Sequence, residues 1–225
     1  MDDSEDEAPQ TADDVFRTAV IFESALGLLA LFLGWLLGPD PRALVPKIDL
    51  SVFQWDVWSP VVLGIGYGMA AAIPMLLGIA ILRRLPLESV RELERLSDDG
   101  MLRLLLQLGP LELILISLCA GVGEELLFRG WLMQWLSENP SGVSGPLEIG
   151  IGLVGSSIAF GLVHPITRLY VVVASVIGLY LGVLLLLSGN LLIPIAAHAT
   201  YDAVQLMMTA WQKSSDSVDL DESDD

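Results

Sequence analysis

Gly121-Val122-Gly123-Glu124-Glu125-Leu126-Leu127-Phe128-Arg129-Gly130 sets two adjacent carboxylates and an arginine inside a stretch that is otherwise apolar from about Gly109 to Leu136. Charged side chains in hydrocarbon are costly unless they are paired, face a polar cavity or do chemistry. Glu125 and Arg129 are four apart, so on a helix they share a face and can neutralise each other. Glu124 points about 100° away on a 3.6-residue helix and needs another partner. The chain's two histidines lie further along in similar apolar surroundings. His164 ends Phe160-Gly161-Leu162-Val163-His164, and His198 opens His198-Ala199-Thr200-Tyr201-Asp202. The expectation is that these three pieces converge on one intramembrane site.

Outward from that stretch, the composition points the same way. The chain has 225 residues and is 53% apolar, with a mean hydropathy of +0.63, which is too hydrophobic for an ordinary soluble domain. Long unbroken apolar runs, rather than alternation, favour an all-α polytopic bundle over a spanning β-barrel. The net charge of −17 is concentrated at the ends: seven acids fall in residues 2–14 and six in 216–225. Such segments read as solvated, disordered tails, here 1–16 and 213–225, and they disfavour nucleic acid as a partner. Cys119, the single cysteine, cannot form an internal disulfide and reads as packing. The acidic start lacks the basic region of a signal peptide, so the first apolar segment is expected to stay as an anchor.

Six spans are expected: about Ala19–Gly38, Pro60–Leu82, Gly109–Leu136, Leu147–His164, Leu169–Leu187 and Leu191–Trp211, each near or above the length that crosses ~30 Å of hydrocarbon. Residues 17–104 hold the first two spans and a surface segment; residues 105–212 hold the polar cluster. The third stretch is longer than one upright span needs, and either a bend near Gly121–Gly123 or a span followed by a short interfacial helix is expected. Leu87–Leu106 reads as one amphipathic surface helix. Arg83, Arg84, Arg91, Arg95 and Arg103 crowd this loop, which makes it cytoplasmic by the positive-inside rule and puts both termini in the cytoplasm. Glu23 and Glu112 are read as reaching the interface. Gly34/Gly38 and Gly178/Gly182 are read as helix contacts. On these boundaries His164 lies near the cytoplasmic face and His198 ~10 Å in from the opposite one. Their meeting therefore requires helix tilt, a funnel of water or shifted boundaries.

A lone intramembrane histidine is usually a hydrogen-bonded packing residue. Here both histidines sit beside other polar groups, with Phe160/His164 and His198/Asp202 each on one face at i,i+4 spacing. Glu, His, His and Asp together form a set that can activate water or bind a metal. Glu124-Glu125-x-x-x-Arg129, Phe160-x-x-x-His164 and His198-x-x-x-Asp202, in that order, resemble the three motifs of the CAAX-prenyl-protease and bacteriocin-processing family of intramembrane proteases. The resemblance covers about residues 105–212.

The resemblance implies an all-helical membrane bundle with a polar chamber, hydrolysing a peptide bond in a peptide or lipidated protein at the bilayer. By the same resemblance Glu124 is the base that activates water, helped by His164, and His198 with Asp202 stabilises the oxyanion. Glu125, Arg129 and Phe160 support the site. Ionised Asp202 would repel an oxyanion, so it must be protonated, orient His198 or bind a metal. Glu124, His164, His198 and Asp202 make a conceivable zinc set, although no HExxH motif is present and a metal-free glutamate mechanism is preferred. Two other function classes use the same residues: an ion- or proton-coupled transporter, and a non-catalytic scaffold or immunity protein.

Overall fold

The computed structural model describes residues 11–49, 51–52, 54–86, 88–96, 100–138 and 145–222. Among them every regular element is helical, so the expected all-α bundle is what forms. Most of the first expected tail, residues 1–10, lies outside the described residues, as do 223–225 of the second.

Helix α1 spans Ala12–Leu37. It starts well before the expected span because Thr11 and Asp14 form a reciprocal cap, with the Asp14 N–H donating to Thr11 Oγ1 at 3.2 Å and the Thr11 N–H to Asp14 Oδ2 at 3.0 Å. It stops at Gly38, whose φ of 58° suits glycine. Helix α2 spans Trp55–Arg83, starting before the expected Pro60, with Trp55 and Trp58 in its first turn. The single surface helix expected over Leu87–Leu106 is instead two, α3 (Glu88–Leu96) and α4 (Gly100–Leu105). Gly100 has φ +63°, outside right-handed helical geometry, which divides the run.

Helix α5 spans Pro110–Glu125 and continues through a π-helical segment, Leu126–Leu132, into the short α6, Met133–Ser137. The helix runs unbroken through Gly121–Gly123, the irregularity comes just after the two glutamates, and a short helix follows it. Helix α7 spans Pro146–Leu162. It opens on the same four residues as α5, Gly145-Pro146-Leu147-Glu148 matching Gly109-Pro110-Leu111-Glu112. In both, proline takes the first helical position and the glutamate turns back on the glycine N–H, at 2.7 Å for Glu112 and 3.0 Å for Glu148. Glu112 is thus a cap at the start of α5. Helix α8 spans Arg168–Ser188 and α9 spans Leu192–Glu222. Residues 213–222, read from sequence as part of a tail, continue α9, since extending an existing helix costs little per residue.

Among the described residues three helices, α1, α2 and α8, are long and apolar enough to cross a membrane, and α7 is apolar but shorter. Large apolar side chains stand exposed along these helices and α9, including Trp35, Tyr67, Leu187 and Trp211, the surface a protein presents to lipid. The interior is held by backbone approaches that only small residues permit. A Cβ at Gly68 of α2 would meet the Ile193 carbonyl and Ala196 of α9, and one at Gly121 of α5 would stand 2.9 Å from Ala199 of α9. Gly66 and Gly78 face open space, so only some of the α2 glycines serve packing. The link after α1 clasps the π segment and the start of α9: Trp131 Nε1 donates to the Gly38 carbonyl at 3.0 Å, and the Leu191 N–H to the Leu44 carbonyl at 2.9 Å.

Candidate active site

Glu124 and Glu125 close the last turn of α5, and the adjoining π segment returns Arg129 to Glu125. Arg129 Nη1 lies 2.6 Å from Glu125 Oε1, and neither side chain has any exposure. Widening the helix frees a carbonyl, and Gln134 Nε2 donates to Arg129 O at 3.2 Å to satisfy it. The guanidinium fits because position 178 on α8 is glycine: a Cβ there would stand 3.1 Å from Arg129 Nη2 and 3.2 Å from the Ser157 backbone. Arg129 Nε and Nη2 have no hydrogen-bond partner. The Phe160 ring instead lies 4.3 Å from the guanidinium carbon, where the face of the ring attracts the cation. Gly178 therefore does more than join two helices.

The same Glu125 oxygen receives His198. Its Nδ1 is 2.9 Å from Glu125 Oε1, and its Nε2 is 3.3 Å from Asp202 Oδ2. The close approach at Gly121 puts these first turns of α9 against the end of α5. With a carboxylate facing each nitrogen, the ring is oriented from both sides. Asp202 thus acts on His198, one of the three roles open to it from sequence.

Glu124 points away from this chain of contacts, as its place on the helix requires. Its Oε2 lies 3.8 Å from His164 Nε2, with 8% of the Glu124 side chain exposed against 24% for His164. His164 lies just beyond the end of α7, and its Nδ1 is 2.7 Å from the Phe160 carbonyl. A carbonyl only accepts, so Nδ1 carries a hydrogen, and Nε2 is the nitrogen turned toward Glu124. Exposure falls from Asp202 (28%) and His164 (24%) through Glu124 to Glu125 and Arg129 at zero. The cluster is therefore most open on the His164/Asp202 side.

All seven residues singled out from the sequence come together, and Phe160 stands at their centre. Its ring contacts His164 at 4.8 Å and His198 edge-on at 5.7 Å, besides lying against Arg129. The separation in depth expected between the histidines does not arise. With 17 residues, α7 is shorter than the ~20 of a full span, so it can deliver His164 to a level within the bundle.

Two residues that sequence reasoning left out of the site belong to the same neighbourhood. Tyr170, in the first turn of α8, has its ring 6.0 Å from His164. Glu23 of α1 does not reach outward to the interface; its Oε2 is fully hidden and has no hydrogen-bond partner. The signal was present, since Glu23 is the one acid between Val15 and Leu37, and an ionisable residue inside a span is costly unless it is used. Cys119 is half-buried and lines an apolar groove of about 470 Å³ between α1 and α5, beside Glu23 and Gly27.

Of the four residues named for zinc from sequence, His198 is engaged at both ring nitrogens, whereas a zinc ligand needs a free lone pair. Among the described residues no three His, Cys, Asp or Glu side chains are gathered as a metal-binding group.

The family model described as type II CAAX prenyl endopeptidase Rce1-like matches residues 106–204. No curated protein and no solved structure matches the chain. The matched segment holds every side chain of the cluster except that of Glu23. Over residues 106–204, somewhat under half of the chain, the protein is similar to the Rce1-like CAAX endopeptidase family.

Proposed function

We propose that the protein is an intramembrane endopeptidase in which Glu124 is the general base. The observation that carries this reading is a buried Glu124 carboxyl with one unpartnered oxygen, set against His164 Nε2 at the accessible end of the cluster. A water between them donates one hydrogen to Glu124 and the other to His164 Nε2. Glu124 takes the first proton as the water oxygen attacks the scissile carbonyl carbon, and the carbonyl becomes an oxyanion. His198 Nε2–H, held from behind by Glu125 and turned by Asp202, is the donor for that oxyanion. Collapse breaks the C–N bond, and Glu124 passes its proton to the leaving amine. Glu125 and Arg129 never meet substrate; they hold His198 in place.

The substrate is a membrane-associated peptide, and a prenylated CAAX-type C-terminus is the form the family match favours. The arginines of residues 83–103 put that loop in the cytoplasm. With several spans, this places both termini there too.

The test is cleavage of fluorogenic farnesylated and unmodified peptides by the purified full chain in detergent. Glu124→Gln is expected to lower kcat by ~10²–10⁴-fold, the usual contribution of a general base, with thermal unfolding unchanged. Activity is expected to survive a strong chelator. Wild-type turnover in Glu124→Gln sinks the assignment of the base, and loss of wild-type turnover on chelation sinks the metal-free mechanism.

A further inference from the structure

The matched domain begins at residue 106, yet a carboxyl from outside it enters the cluster. Helix α1 packs on α5 at a glycine pair. A Cβ added at Gly123 would collide with the Glu23 carbonyl, and one at Gly27 would stand 3.5 Å from Gly123 Cα. Glu23 lies one turn before Gly27, on the same face of α1, and is thereby delivered beside the residue next to Gly123 in α5. That residue is Glu124. The two carboxyls lie within hydrogen-bonding reach, and His198 and Asp202 are the other charged groups close to Glu23. Glu23 Oε2 and Glu124 Oε2 are both hidden, and neither has a hydrogen-bond partner.

Hydrogen-bond accounting then becomes restrictive. Two facing carboxylates offer only acceptors, and like charges in contact away from water repel strongly. The cationic side chains nearby are engaged with other carboxylates. Arg129 Nη1 pairs with Glu125, and His198 faces Glu125 and Asp202. The contact is favourable only if one carboxyl donates to the other. Glu124 serves as acceptor for water in its role as general base, so the donor is Glu23.

We propose that Glu23 is a positioning residue that donates its O–H to the Glu124 carboxylate, fixing that carboxylate's rotamer so that Oε2 faces His164 and the attacking water. This rests on the reading of Glu124 as base. It makes α1 part of the catalytic unit and not only a membrane anchor.

The experiment compares wild type, Glu23→Gln, Glu23→Met and Glu124→Gln as purified full chains in detergent, reading kcat and KM on the best-cleaved peptide. The glutamine amide donates over the same length, so Glu23→Gln is expected to keep kcat within about threefold of wild type. Methionine fills the space without a donor, and Glu23→Met is expected to lose ~10–100-fold in kcat at unchanged KM, the scale of a misplaced catalytic group. Infrared spectra supply a readout that a purely structural role would not move: wild type should show a protonated-carboxyl band that Glu23→Gln removes. Wild-type kcat in Glu23→Met overturns the proposal. Equal impairment in Glu23→Gln and Glu23→Met also overturns it, since the charge and not the donated hydrogen would then matter. Should Glu23→Met fail to fold, absence of the infrared band in wild type overturns it instead. Full activity in Glu124→Gln removes the base assignment itself, which separates that failure from the failure of Glu23 alone.

Discussion

Arg129 has no exposure and pairs through one nitrogen only, leaving Nε and Nη2 without hydrogen bonds. Removing one partner of a buried ion pair typically costs 3–5 kcal/mol, because the other charge is left uncompensated. Arg129→Met is therefore expected to lower stability by ~3–5 kcal/mol and to release His198 along with Glu125. The double variant Glu125→Gln/Arg129→Met is expected to recover part of that stability without recovering activity, because His198 then faces an amide. Thermal unfolding in detergent beside peptide turnover checks both, and a double variant no more stable than Arg129→Met sinks the pairing. Phe160→Leu should cost ~1–2 kcal/mol through the lost cation–ring contact. It leaves the His164 Nδ1 bond intact, because that bond is to backbone. Its turnover is thus expected to fall less than that of Glu124→Gln.

At the scale of elements, the site depends on how closely helices approach. Gly123 and Gly121 bring α1 and α9 against α5, whereas Gly66 and Gly78 of α2 face open space. Gly123→Ala is expected to push α1 away and lower kcat while the protein still folds. Gly66→Ala and Gly78→Ala should leave activity unchanged and add up to ~0.5–1 kcal/mol, since alanine suits a helix interior better than glycine. A Gly123→Ala variant with wild-type turnover would show that the α1–α5 spacing does not matter. The π segment Leu126–Leu132 is the second such device. Deleting one residue from it would rotate the downstream helix by ~100°, and turnover is expected to disappear with the Arg129–Glu125 pair.

At the scale of the molecule, residues 106–204 are the segment similar to the family, but two helices outside it complete the bundle. Helix α2 lies along α9, where Tyr180 Oη also donates to the Ala71 carbonyl at 2.9 Å, and α1 brings Glu23. A chain starting at residue 105 is expected to lose cleavage although it keeps every family motif, and peptide turnover in liposomes measures this. Full activity in that shorter chain would reduce α1 and α2 to anchors. The exposed apolar belt around the long helices is expected to keep the protein insoluble without detergent or lipid.

The amino-acid order alone determined the all-helical membrane class, because apolar runs of spanning length can satisfy their backbone in lipid only as helices or a closed barrel. It also determined seven members of the cluster, because i,i+4 spacing is a local property that puts Glu125 with Arg129 and His198 with Asp202 on one face. The helix ends were less legible. The cap at Thr11 and the break at Gly100 depend on particular turn geometry, and the π segment depends on the burial of Arg129. Only the tertiary structure decided that Glu23 meets Glu124, that Gly178 makes room for a guanidinium, and that His198 turns both nitrogens to carboxylates. These are contacts between helices far apart in the chain, and periodicity within one helix carries no information about which neighbour its polar face will meet.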